Sequence, residues 1–108
     1  VWDWDAGYEL VLLDVNVDGR PRKILISPNK GGFTWVLDRR NGEFLNAWPI
    51  ADNINWISGI DKKGNLLNRL EPKVGVPTIV CPSIGGGRSW NHGAYSPKTG
   101  LFYQTGIE

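Results

Sequence analysis

Short apolar runs broken by turn residues fill this chain, and no stretch carries the helical periodicity of an amphipathic helix. Glu9–Val15 reads as a strand, closed by the turn Asn16-Val17-Asp18-Gly19, whose Asp-Gly pair is a strong hairpin signal. Arg22–Ser27 is the return strand of that hairpin. After the turn Asn29-Lys30-Gly31-Gly32, a strand is predicted over Phe33–Asp38, then the turn Arg39-Arg40-Asn41-Gly42 and a strand over Glu43–Ala47. A looser stretch runs from Trp48 to Val76, interrupted at Gly59, Lys63-Gly64, Pro72 and Gly75. Thr78–Cys81 reads as a short strand and Ser83–Arg88 as a Gly-rich loop. Gly93–Ser96 and Leu101–Thr105 complete the set, joined by Pro97-Lys98-Thr99-Gly100.

Two of these strand–turn–strand units share a pattern. Val36–Phe44 and Ala94–Phe102 both read small or apolar, x, Asp or Ser, x, x, Asn or Thr, Gly, x, Phe, with starts 58 positions apart. That spacing is close to one blade of a β-propeller built from repeated four-stranded sheets. Two units cannot close a ring, which takes four or more blades. The pattern therefore predicts an all-β chain that forms part of a propeller, with residues 1–108 as a single partial domain. A small β domain with a chance repeat is the other reading of the same pattern.

Composition narrows the class. Twelve Lys and Arg stand against 11 Asp and Glu, a net charge of +1, which gives no ground for nucleic acid or an anionic membrane as partner. No apolar run is long enough to span a membrane. No charged-then-apolar leader opens the chain, and the lack of any Met fits a processed chain or an internal fragment. Six Trp and 14 Gly suit β structure with tight turns and aromatic packing. The one cysteine, Cys81, is a free thiol, an intermolecular partner, or half of a disulfide whose mate lies elsewhere.

The first residues hold the most pointed chemistry. In Trp2-Asp3-Trp4-Asp5 an extended backbone would place both carboxylates on one face and both indoles on the other. Two adjacent carboxylates repel unless a cation lies between them, and hard cations take oxygen ligands. An Asp-x-Asp pair in an arbitrary β protein is, equally, a solvated turn or strand edge. His92 is the lone histidine and cannot build a zinc site by itself. No nucleophile elbow accompanies it. Gly85-Gly86-Gly87-Arg88 lacks the Lys-Ser/Thr of a phosphate cradle and reads as a turn. Phe33, Trp35, Phe44, Phe102 and Tyr103 read as packing between blades, and Trp2 and Trp4 as packing too.

In order and spacing, several short motifs together resemble one family. They are Trp2-Asp3-Trp4-Asp5 with Glu9-Leu10-Val11-Leu12; Asn29-Lys30-Gly31-Gly32-Phe33 leading to Val36-Leu37-Asp38-Arg39-Arg40-Asn41-Gly42; Asp52-Asn53-Ile54-Asn55-Trp56 with Gly59-Ile60-Asp61; Cys81-Pro82-Ser83; and Ser89-Trp90-Asn91-His92-Gly93 through Tyr103. The chain is similar to the quinoprotein alcohol dehydrogenases of the methanol and ethanol type, which use pyrroloquinoline quinone (PQQ). The resemblance implies an eight-bladed propeller, of which this chain would be about two blades. It implies Asp3 as catalytic base and metal ligand, and Asp5 as a further metal ligand of the lanthanide-dependent branch, with calcium as the alternative ion. Lys30 and Asn91 would contact the quinone. Cys81 would be a half-cystine paired beyond this chain. The family's upstream Glu and Asn metal ligands are not in this sequence, so the isolated segment is expected to oxidise no alcohol. The resemblance further implies primary alcohols as substrates, a cytochrome c as electron acceptor and the periplasm as location, and leaves a homodimer open. A non-catalytic propeller scaffold, or an inactive truncated product, is the competing reading.

Overall fold

The computed structural model describes residues 2–108 and, among them, contains strands, turns and loops but no helix. Four strands form one antiparallel sheet in chain order: β1 (Val11–Val17), β2 (Arg20–Pro28), β3 (Phe33–Asp38) and β4 (Phe44–Pro49). The first hairpin is tighter than the sequence suggested. Val17 pairs directly with Arg20, so Asp18-Gly19 alone is the loop. Both residues have positive φ, 51° and 74°, as a two-residue turn matched to strand twist requires.

Register assigns the faces. Ile24, Ile26 and Pro28 on β2 stand opposite Asp38, Val36 and Thr34 on β3, and Val11 and Leu13 on β1 oppose Ile26 and Ile24. Ile24, Ile26 and Val36 are buried and form the core of this face, with Val11, Leu13, Val15, Val17 and Leu45 packed around them. Leu45 reaches it because the β3–β4 register slips between Val36 and Leu37. The other face carries an aromatic row: Phe33 lies 6.1 Å from Trp35, and Trp35 5.9 Å from Phe44. A sheet that is apolar on both faces suits a blade stacked between neighbours.

Two smaller ladders follow: β5 (Gly59–Ile60) with β6 (Leu66–Leu67), and β7 (Ala94–Ser96) with β8 (Leu101–Tyr103). Phe102 packs on the core of the first sheet, the inter-blade role expected of it, whereas Tyr103 is exposed. The second blade is thus represented by the hairpin β7–β8, not by a four-stranded sheet. Thr78–Cys81 is not a strand. Its backbone groups bond to Asn55 instead: Cys81 N donates to Asn55 Oδ1 at 2.7 Å, and Asn55 Nδ2 donates to the Ile79 carbonyl at 3.1 Å. A side chain here takes the place of a sheet neighbour.

The repeat seen in the sequence is real in three dimensions. Gly42 N donates to the Asp38 carbonyl at 2.8 Å, and Gly100 N donates to the Ser96 carbonyl at 2.8 Å. The two glycines have φ of 77° and 70°, a region closed to most side chains. In the first copy the Asp38 side chain is fully buried, bonded by Arg40 Nη2 at 2.7 Å and Arg40 N at 2.9 Å, with Arg22 3.7 Å away. The Arg40 side-chain hydrogen bond, then the Arg40 amide, hold this carboxyl far below the ordinary aspartate range. An acid whose folded pKa is depressed stabilises the fold above its unfolded pKa, about 3.9, and that contribution fades as pH falls toward the folded value. Hydrogen exchange should therefore show the Arg40 amide losing protection below that pH, while the Gly42 amide, bonded to backbone, keeps its own. Equal loss at both amides would show that the whole turn melts.

Candidate active site

The antiparallel pairing places the approach to β1 beside the β2–β3 loop, because Val11 stands opposite Ile26 near the end of β2. Residues 2–10 therefore run past Asn29–Gly32. That loop is held by its own bonds: Gly32 N donates to the Asn29 carbonyl and Gly31 N to Asn29 Oδ1, each at 3.1 Å. It projects Lys30 toward the Asp-x-Asp segment. Lys30 Nζ donates to Asp5 Oδ1 at 2.9 Å and to the main-chain oxygen of Asp3 at 3.1 Å. The Lys30 side chain is only 14% exposed, against 78% for Asp5. It is not the solvated lysine of an ordinary turn.

Each charge steadies the other. The hydrogen bond from Lys30, then its charge, hold the Asp5 carboxyl below its ordinary value. The hydrogen bond to Asp5 raises the Lys30 pKa despite desolvation, helped by the charges of Asp5, Tyr8 and Asp3. Asp3 and Asp5 are exposed while Trp2 and Trp4 are half-buried, the alternation expected of the motif. The backbone is not the extended strand that expectation assumed. Asp3 has φ of 60°, a left-handed conformation that Asp tolerates better than most residues. Sparsely populated backbone states of this kind concentrate at functional sites. Trp4 anchors the segment from behind: its Nε1 donates to the Ser83 carbonyl at 3.1 Å, and its ring lies 5.1 Å from Trp56 at 64°.

The Gly-rich loop does more than turn the chain. Gly87 N donates to the Lys30 carbonyl at 3.0 Å, and a Cβ on Gly86 would come within 2.6 Å of Lys30. Glycine is what allows the two backbones to meet. The loop leads into Arg88, whose side chain is fully buried. Arg88 Nη2 donates to Glu9 Oε1 at 3.1 Å and to the Asn91 carbonyl, Nη1 donates to the Pro28 carbonyl at 3.2 Å, and the guanidinium sits 4.7 Å from the Tyr8 ring centre. Glu9 Oε1 also accepts from Gly93 N at 3.0 Å, and Glu9 Oε2 lies 3.4 Å from His92 Nδ1. Burial pushes the Glu9 carboxyl up, but the Gly93 amide, its own amide and Arg88 together pull it below its ordinary value.

Lys30 is thus brought onto the Asp5 carboxylate and the Asp3 main chain, while Asn91 lies exposed on another segment, where its carbonyl accepts from Arg88. Sequence reasoning missed Arg88 and Glu9, which meet across 79 positions. Only the charged residue after three glycines could have drawn attention to that loop. Among the described residues no group of three or more His, Cys, Asp or Glu side chains gathers as a metal cage. Two carboxylates with hard oxygen donors, one already balanced by an ammonium, fit part of the shell of a hard cation rather than the whole of it.

A four-stranded blade, a recurring blade hairpin and loops that present carboxylates and an ammonium at one end of the sheet define a propeller segment with a charged rim. The chain belongs to the family described as "PQQ: Glucose/ethanol/alcohol dehydrogenase, beta-propeller domain", whose model matches residues 1–54. It is 42% identical over 113 residues to the quinoprotein ethanol dehydrogenase of Pseudomonas aeruginosa, a match covering 94% of this chain and 18% of that protein. It is 37% identical over 106 residues to the lanthanide-dependent methanol dehydrogenase of Methylacidiphilum fumariolicum, covering 94% of this chain and 17% of that one. Among solved structures, a europium-containing methanol dehydrogenase superimposes with a TM-score of 0.85 at 36% identity, over 94% of this chain and 18% of its own. The chain therefore spans less than a fifth of the length of these relatives.

Proposed function

We propose that the full-length protein is a PQQ-dependent alcohol dehydrogenase that oxidises primary alcohols to aldehydes, and that this segment supplies part of its active site. The observation that carries the reading is the mostly buried Lys30 ammonium bonded to Asp5 and to the Asp3 main chain. The joint presence of Asp3, Asp5, Lys30 and Asn91 supports this reading over a propeller scaffold, which has no need of all four.

When bound, the quinone supplies the hydride acceptor, and a hard metal ion supplies the Lewis acid that polarises its carbonyl. The residues of this chain do the rest. The Asp3 carboxylate takes the hydroxyl proton of the alcohol at one of its oxygens, the work of a general base. Asp3 and Asp5 would hold the metal ion, a lanthanide in preference to calcium, since two carboxylates offset more of a trivalent charge. Lys30 stabilises negative charge that develops on the cofactor. Asn91, on the segment that follows Arg88, would offer its amide to the cofactor. The same reading places the protein in the periplasm, with a cytochrome c as electron acceptor.

The test is reconstitution of the metal-free, cofactor-free full-length protein with PQQ and either lanthanum or calcium, a primary alcohol and an electron-accepting dye. Turnover that requires both the quinone and a metal is the expected result. No turnover under any combination would leave the protein a propeller scaffold.

A further inference from the structure

The contact between Lys30 and Asp5 joins segments 25 positions apart, and a third segment is fastened to both. On the Lys30 side, Gly87 N donates to the Lys30 carbonyl at 3.0 Å and Arg88 Nη1 to the Pro28 carbonyl at 3.2 Å. On the aspartate side, Trp4 Nε1 donates to the Ser83 carbonyl at 3.1 Å, and Arg88 Nη2 donates to Glu9 Oε1 at 3.1 Å. The Ser83 carbonyl also accepts from Gly86 N at 2.8 Å, which closes the turn. We propose that Gly86 is a positioning residue: it lets the Ser83–Arg88 loop close on Lys30 and so holds the ammonium on Asp5 and the Asp3 main chain, where the proposed cofactor chemistry uses it.

The glycines of this loop are not alike. Gly85 is exposed, and a Cβ there would meet the Ser83 Oγ at 3.6 Å, an ordinary contact. Gly86 is buried with φ of 79°, and a Cβ there would come within 2.6 Å of the Lys30 Cα, Cβ and Cγ. A Cα cannot rotate away, so Lys30 itself would have to move. Such support is needed. Asp5 is 78% exposed, and an ion pair with one partner in water does little to hold a flexible four-carbon stem in a single direction. Packing of Gly86 along the base of that stem restricts its directions, in keeping with a Lys30 side chain that is mostly buried. The use of Lys30 toward the cofactor rests on the proposed dehydrogenase function; the hold of the loop on Lys30 does not.

The experiment uses the full-length protein freed of PQQ and metal. Its lysines are acetylated with sulfo-NHS-acetate for graded times, and each site is quantified by peptide mass spectrometry. Gly86→Ala should acetylate Lys30 several-fold faster than the parent, with Lys98 on the β7–β8 turn unchanged, and Gly85→Ala should leave Lys30 at the parental rate. Acceleration by both glycine variants alike, or by neither, would overturn the proposal. PQQ affinity, followed by quenching of tryptophan fluorescence, reads the consequence. Gly86→Ala should weaken it about 10- to 100-fold, the scale seen when groups that orient ligand-bearing side chains are lost. In a Lys30→Met background it should weaken it no further, because Gly86 acts through the ammonium. Additive losses would make Gly86 a merely structural residue and overturn its positioning role. Should Gly86→Ala fail to fold, Trp4→Phe keeps an aromatic ring, removes the bond to the Ser83 carbonyl, and carries the same labelling and the same cycle; parental Lys30 labelling in that variant would overturn the proposal. A parent that binds no PQQ would bring down the dehydrogenase reading, while the labelling would still decide whether the loop holds Lys30.

Discussion

Asp3→Asn in the full-length protein is expected to lower alcohol turnover about 100- to 10,000-fold, the usual cost of removing a positioned general base. The amide keeps the shape of the side chain and loses the ability to take the hydroxyl proton. The Lys30 ammonium bonds to the main-chain oxygen of Asp3, not to its carboxylate, so that contact survives the substitution. PQQ binding, assigned in the proposed reading to Lys30 and Asn91, should therefore persist in large part. Steady-state kinetics and a PQQ titration on the same variant separate the two effects. Turnover near the parental rate would remove Asp3 from the chemistry. Equal loss of rate and of cofactor would make it a binding residue only.

Asp5→Ala is expected to separate the metals. In the parent, the hydrogen bond and charge of Lys30 favour the ionised form of Asp5, the form that serves as an anionic ligand. Its removal should lower activity with lanthanum or cerium by about 10- to 100-fold or more, the range seen when metal-site groups are lost, while activity with calcium falls less. The measurement is activity of metal-free enzyme reloaded with each ion, parent against variant. The Lys30 ammonium would be left without its carboxylate partner in the variant. A drop in activity that is the same for every ion would point to Lys30 misplacement rather than lost coordination. No change with any ion would make Asp5 a structural residue.

Much of the fold was legible because its turns are chemically explicit. Asp18-Gly19, Gly42 and Gly100 announced their positive φ values in their residue types, and the strands between them followed. The ladder Gly59–Ile60 with Leu66–Leu67 was not read, because two-residue strands leave no alternation to count. It is set by Asp61, whose Oδ1 accepts from Lys63 N at 2.8 Å and Asn65 N at 2.9 Å across the Lys63-Gly64 break. Thr78–Cys81 looked like a strand by composition and became a loop once Asn55 took its hydrogen bonds. For the site, the Asp3–Asp5 pair stood out by its own chemistry, whereas Lys30 and Asn91 were singled out only through resemblance. The contact between Lys30 and Asp5 spans 25 positions and that between Arg88 and Glu9 spans 79, distances at which local pattern carries no signal.

The two matching hairpins act as an internal control on what a blade needs. In one copy the turn opens on a buried acid gripped by two arginines; in the other the same place is held by Ser96, an uncharged residue. The closing backbone bond nevertheless has the same length in both, and the glycine four residues on keeps nearly the same φ. Shape in this repeat is thus carried by the main chain and one glycine, and the first side chain is free to vary. A lineage that multiplies such hairpins can alter the chemistry of each copy without redrawing its outline. One ring of near-identical blades can then hold dissimilar loops at its rim, with a carboxylate pair on one and an exposed asparagine on the next.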